Sequence, residues 1–189
     1  MPICLPLDQL DHWYRQPSEG TRICGNVGHW LDLSVHILCW RDLADNWTLR
    51  LVCSDPSIRD ENIALSLVSD AGDMVNIVLV SRCEPFEGIN ESVDLQWGNV
   101  IAKIDDFRTM AVRRDDRVRR YRFWPKDVGH VKAILQPFGT PARDWHEVAL
   151  STALMLHITE MVRRGVSESR FSFSNACKTL GINRHATAL

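Results

Sequence analysis

The sequence predicts an α+β fold: an open, predominantly antiparallel β-sheet of about six strands with helices packed on one face. Three observations predict it. A helical period begins at Ile23, period-two segments fill residues 46 to 124, and helical periodicity returns in the last third. Runs of helix and strand signal that are segregated in this way suit an antiparallel sheet rather than a succession of parallel crossovers. At 189 residues the chain suits one domain with a sizeable core. Residues 1–165 are read as that domain, and 166–189 as a weakly structured, Ser-rich tail.

Taken in order, PICLPL is either a short strand or a lead-in segment, and DHWYRQPSEGTR is loop, punctuated by Pro17 and Gly20. From Ile23 the apolar positions Val27, Leu31, Ile37 and Leu38 fit one helical face, widened by Trp30 and Leu33. WTLRLVC then alternates as a strand. ENIALSLVS and MVNIVLVS flank the turn DAGD, which makes residues 61–81 a hairpin. SVDLQW, NVIAKID, RTMAVRR and RVRRYRFW are further strands, with Gly98-Asn99, Asp105-Asp106 and Asp115-Asp116 as turns. KDVGHVKAILQPF reads as a helix stopped near Pro137. DWHEVALSTALMLHITEMVRRG reads as a second, with Asp144 as N-cap, Glu147 at capping-box spacing and Gly165 as its stop.

Composition narrows the function. Lys and Arg number 22 against 24 Asp and Glu, so net charge implies no polyanionic partner. RVRRYRFW interleaves basic and aromatic residues, yet strand alternation splits them between two faces and Asp115 and Asp116 adjoin them, so nucleic acid is not expected. No apolar run reaches the length of a membrane span and no signal-peptide pattern opens the chain, so no membrane partner is expected. The six cysteines are scattered without a CxxC pair. Reduced thiols in a cytoplasmic protein are expected, with no metal site.

The chemistry-bearing candidates cluster around the first helix. His29, on an early turn, is either a capping or packing residue or a base kept neutral by the helix N-terminus. Asp32, at i+3, either orients that ring or bonds a neighbouring loop. Arg22 meets either a ligand phosphate or carboxylate or a surface ion-pair partner. Trp13, beside His12 in the preceding loop, is either an aromatic platform for a ligand ring or an anchor for the loop.

LPLDQLDHWYRQPSEGTRICGNVGHWLDLSVHIL resembles the opening of the C-terminal domain of the glucose–fructose oxidoreductase/inositol dehydrogenase/MocA family, where a DHW-like element and a glycine-rich stretch precede a helix marked G-x-x-x-H-x-x-D. Gly25, His29 and Asp32 stand at those positions. The hairpin DENIALSLVSDAGDMVNIVLVS, the DDFR element Asp105 to Arg108, and GHVKAIL followed by GTP and a long helix are similar to later parts of the same domain. The resemblance spans most of residues 5–165.

The resemblance implies a catalytic acid/base role for His29 and a substrate cleft bordered by the loop that carries His12 and Trp13. Arg22 and Asn26 would be further substrate contacts. Related enzymes place an acid three or four positions before the histidine; here those positions are Asn26 and Gly25, and an amide exchanges no proton at neutral pH. The family's dinucleotide site lies in a Rossmann domain. A G-x-G-x-x-G turn between strand and helix is missing from this sequence, as is the family's E-K-P lysine, so this chain alone is expected to bind no NAD(P).

Three functions follow. The first is the substrate-binding and oligomerising half of an NAD(P)-dependent sugar or cyclitol oxidoreductase, whose cofactor arrives with a separate Rossmann-domain protein. The second is a non-catalytic interaction module, a homo-oligomer formed through the open sheet face. The third is a cofactor-free enzyme that uses His29 as its acid/base on a small-molecule substrate.

Overall fold

The computed structural model describes residues 18, 21–39, 42–55, 62–80, 91–123 and 145–183. Two compact units divide the chain: Leu5–Val80 with Arg143–Leu189, and Met1–Cys4 with Ser81–Ala142. His12, Trp13, the Asp144 cap and the helix expected over KDVGHVKAILQPF lie outside the described residues.

The first unit opens with a π-helical turn, Ile23–Val27, that runs directly into helix α1, Gly28–Ile37. Strands β1 (Asn46–Cys53), β2 (Ile63–Ser69) and β3 (Met74–Leu79) follow, then helix α2 (Trp145–Arg164), strand β8 (Glu168–Ser172) and helix α3 (Phe173–Leu180). Its sheet is antiparallel throughout, in the order β3-β2-β1-β8. Period-two alternation sends Trp47, Leu49 and Leu51 of β1, Ile63, Leu65 and Leu67 of β2, and Phe171 of β8 into the core. There they join Ile23, Val27, Leu31 and Val35 from the first helix and Leu150, Leu154 and Ile158 from α2, all buried. The core stripe of the first helix steps by four residues. A π turn holds more residues than an α turn, and this keeps positions four apart in line where a pure α-helix would drift.

The second unit carries β4 (Ser92–Trp97), β5 (Val100–Asp105), β6 (Thr109–Arg114) and β7 (Arg117–Arg122) as an antiparallel meander in chain order. Its turns use left-handed backbone at Gly98 (φ 57°), at Asp106 and Phe107 (φ 47° and 52°) and at Asp115 (φ 53°). Turn-forming residues tolerate that region best, and three of these four positions are Gly or Asp.

Two expectations are corrected here. One sheet of about six strands is replaced by two antiparallel sheets of four strands each. The first sheet is completed by β8, which pairs with β1 from the far end of the chain, while β4–β7 are joined by short turns that pair each strand with its neighbour in sequence. The stretch after Val166 is the second correction: where a weakly structured tail is expected, it supplies β8 and α3. Asp45 fastens it. The Asp45 carboxylate accepts from the Ser172 hydroxyl at 3.0 Å and the Ser174 N–H at 2.7 Å, and the Asp45 carbonyl accepts from the Phe173 N–H at 3.0 Å. Phe171 and Phe173 then pack edge to face, ring centroids 5.1 Å apart.

Candidate functional site

The first helix and α2 run antiparallel along a seam in which each step of four residues on one helix meets a step of four back on the other. The Cys24 thiol lies 3.5 Å from the Thr159 hydroxyl. A Cβ on Gly28 would stand 2.7 Å from the Met155 sulfur. The Ser151 hydroxyl donates to Asp32 Oδ1 at 2.7 Å, and His36 Nδ1 meets Glu147 Oε1 at 2.9 Å. Both Ser151 and Glu147 are buried, so these side chains give α2 its partners inside a polar strip that runs beside the apolar core.

Asp32 therefore belongs to the helix seam, where it accepts from a hydroxyl on another helix. Glu147 reaches the first helix through His36, while the Asp144 end of its expected capping box lies outside the described residues.

His29 is exposed and has no hydrogen-bond partner among the described residues. Arg22 and Asn26 are 2% and 4% exposed, so Arg22 lies in the interior and not at the surface where an ion pair is one of its two expected roles. Asn26 belongs to the π turn, a rare geometry that recurs at functional sites. Its Oδ1 is buried without a hydrogen-bond partner among the described residues. An orphaned buried acceptor costs about 1–3 kcal/mol, a cost the fold carries at this position. The site that emerges has an exposed imidazole one helical turn from a buried, unsatisfied carbonyl, on a backbone held out of regular α geometry. The exposed ring can donate or accept a proton. The amide can only accept or donate hydrogen bonds.

A second histidine of interest has no counterpart in the sequence reading. His157 of α2 lies 2.9 Å through Nε2 from the Ser169 hydroxyl of β8 and packs on the edge of Phe171, centroids 5.5 Å apart. Burial lowers its pKa from the ordinary histidine value, so the neutral ring is the form that fits. The signal for the seam itself is present in the sequence as two spaced sets, Cys24, Gly28, Asp32, His36 and Glu147, Ser151, Met155, Thr159. Only their antiparallel docking matches one set to the other.

No protein-family model matches the chain, and no curated protein matches it. Among solved structures it is similar to an oxidoreductase from Agrobacterium radiobacter in complex with NAD+, L-tartaric acid and magnesium, at 17% identity and a TM-score of 0.41. The match covers 83% of this chain and 43% of that one, so the chain spans less than half the length of that oxidoreductase.

Proposed function

We propose that this chain is the substrate-binding half of an NAD(P)-dependent oxidoreductase acting on a sugar or cyclitol hydroxyl, with the nicotinamide supplied by a separate Rossmann-domain protein. His29 is the acid/base. It takes the hydroxyl proton as hydride leaves the same carbon for the nicotinamide, and returns a proton in the reverse direction. The observation that supports this reading is the pairing of an exposed His29 with the orphaned Asn26 Oδ1 on a π turn. An acceptor held unsatisfied in the fold suits a donor that comes with a ligand or partner. The G-x-x-x-H-x-x-D resemblance at Gly25, His29 and Asp32 points the same way.

The test is hydride transfer from myo-inositol and D-glucose to NAD+ and NADP+, with any Rossmann-domain protein the chain retains from its native host. Turnover that disappears in His29→Ala, while the complex still assembles, is the expected result. Turnover undiminished in His29→Ala would remove the histidine from the mechanism.

A second reading, the interaction module, draws on the outer face of the β3-β2-β1-β8 sheet. Val52, Val68, Met74 and Val78 are all exposed there. They flank a central polar row in which Arg50 pairs with Glu168 at 2.9 Å and Ser66 donates to Asn76 at 2.7 Å. Apolar residues on both sides of a charged row suit a self-complementary face for a homo-oligomer. Light scattering on the wild type and on a Val68→Lys/Val78→Lys variant tests it: an oligomer that the double substitution splits supports the module, and a strictly monomeric wild type removes it.

A further inference from the structure

The β6–β7 hairpin carries six arginines in ten residues, Arg113, Arg114, Arg117, Arg119, Arg120 and Arg122. None of the six is in an ion pair among the described residues. Of the two aspartates at its tip, Asp115 accepts from the Asn99 amide at 2.8 Å, and neither pairs with an arginine among the described residues. Arg114 and Arg117 are direct cross-strand partners, an arrangement in which like charges repel. All six residues of β7 are exposed, and β7 is the terminal strand of its sheet among the described residues.

Strand register decides which groups face the open edge. A two-residue turn closes β6 and β7, so Arg114 and Arg117 exchange both backbone hydrogen bonds and the pairs alternate from there. The Phe123 N–H, which donates to the Arg108 carbonyl at 2.8 Å, fits the same alternation. Val118, Arg120 and Arg122 therefore turn their N–H and C=O groups outward. The side chains divide evenly, with Arg114, Arg117 and Arg119 on one face of the sheet and Arg113, Arg120 and Arg122 on the other.

We propose that β7 is a docking edge for an extended acidic peptide segment, which adds as a fifth strand. An edge strand offers backbone hydrogen bonds to any extended chain, and side-chain charge selects among them. A second copy of β7 would set arginine against arginine. A polyanion lying across one face would reach only half of the arginines. A strand of alternating geometry with acidic residues pointing both ways meets both sets at once, and opposite charges across paired strands attract. Arginines on an edge also discourage aggregation, but that role leaves unexplained six arginines spread over both faces with no ion pair among the described residues.

The probe is an acetylated, amidated octapeptide, Thr-Glu-Val-Glu-Glu-Val-Glu-Thr, titrated into the full chain by fluorescence anisotropy. Saturable binding is expected, weakening by about tenfold or more from low to high salt as the charges are screened. Arg119→Glu/Arg120→Glu is expected to lose roughly tenfold or more in affinity. Val118→Pro removes one outward N–H without touching a β6 bond, a substitution edge strands accept, and it is expected to weaken binding while the circular dichroism spectrum is unchanged. An octapeptide N-methylated at alternate residues keeps the charges and is expected not to bind. Equal binding of the methylated and plain peptides would overturn strand addition. So would no binding of the plain peptide, or binding of a dodecameric oligothymidylate in its place.

Discussion

Removing the Ser151 hydroxyl tests whether Asp32 is a structural residue of the helix seam. Ser151→Ala leaves the volume of α2 nearly unchanged and raises its helix propensity, so what is lost is the hydroxyl's 2.7 Å bond to Asp32 Oδ1, the shorter of its two contacts, with its 3.0 Å approach to the Val148 carbonyl of its own helix. A hydrogen bond to a charged acceptor contributes about 1.5–3 kcal/mol. Asp32 is only half-buried, so water replaces part of the lost donor, and the lower end, about 1.5 kcal/mol, applies. For a chain of this size that is a fall of roughly 3–6 °C in the thermal midpoint. Urea denaturation should show the midpoint move with the slope unchanged. Asp32→Asn keeps an acceptor opposite Ser151 and should cost less. A midpoint within about 1 °C of wild type for Ser151→Ala would refute the seam as drawn. It would also reopen a role for Asp32 in orienting His29.

Two more predictions follow from the same helices. Gly28→Ala should stay within about 1 kcal/mol of wild type, because the helix-propensity gain offsets displacement of the flexible Met155 sulfur, whereas Gly28→Leu should cost about 1–3 kcal/mol by chemical denaturation. Equal stability of the two variants would mean that the helices do not approach closely at Gly28. Because burial lowers the His157 pKa, the unfolded chain binds its proton more readily than the folded one. Its contribution to stability is complete above the ordinary value of about 6.5 and declines as pH falls through that value towards the lower folded one. His157→Gln should flatten that acid-side decline, read from urea midpoints across the histidine range, and an unchanged profile would count against it.

Most strands were legible because each signal is local. NWTLRL alternates polar with apolar, and the hairpin around Gly72 (φ 93°) and the meander through Gly98, Asp106 and Asp115 are marked by residues that accept left-handed backbone. Which strands share a sheet was not legible. Pairing of β1 with β8 joins residues more than a hundred positions apart, through an Asp45 latch whose partners, Ser172 and Ser174, look like ordinary loop serines in sequence. The first helix was placed correctly but its buried face was not: Val35 belongs to the core and Leu38 is only partly buried, because the π turn shifts the phase that a 3.6-residue period assumes. The burial of Arg22 and Asn26 was not legible either, because charged and amide side chains ordinarily sit at the surface.

The measurement that bears most directly on the proposed oxidoreductase role is calorimetric titration of NADH and NADPH into the purified chain, first alone and then with the Rossmann-domain protein it retains from its host. The account predicts no heat of binding from the chain alone and stoichiometric binding by the complex. Saturable binding of either nucleotide by the chain alone, or by neither the chain nor the complex, would contradict it.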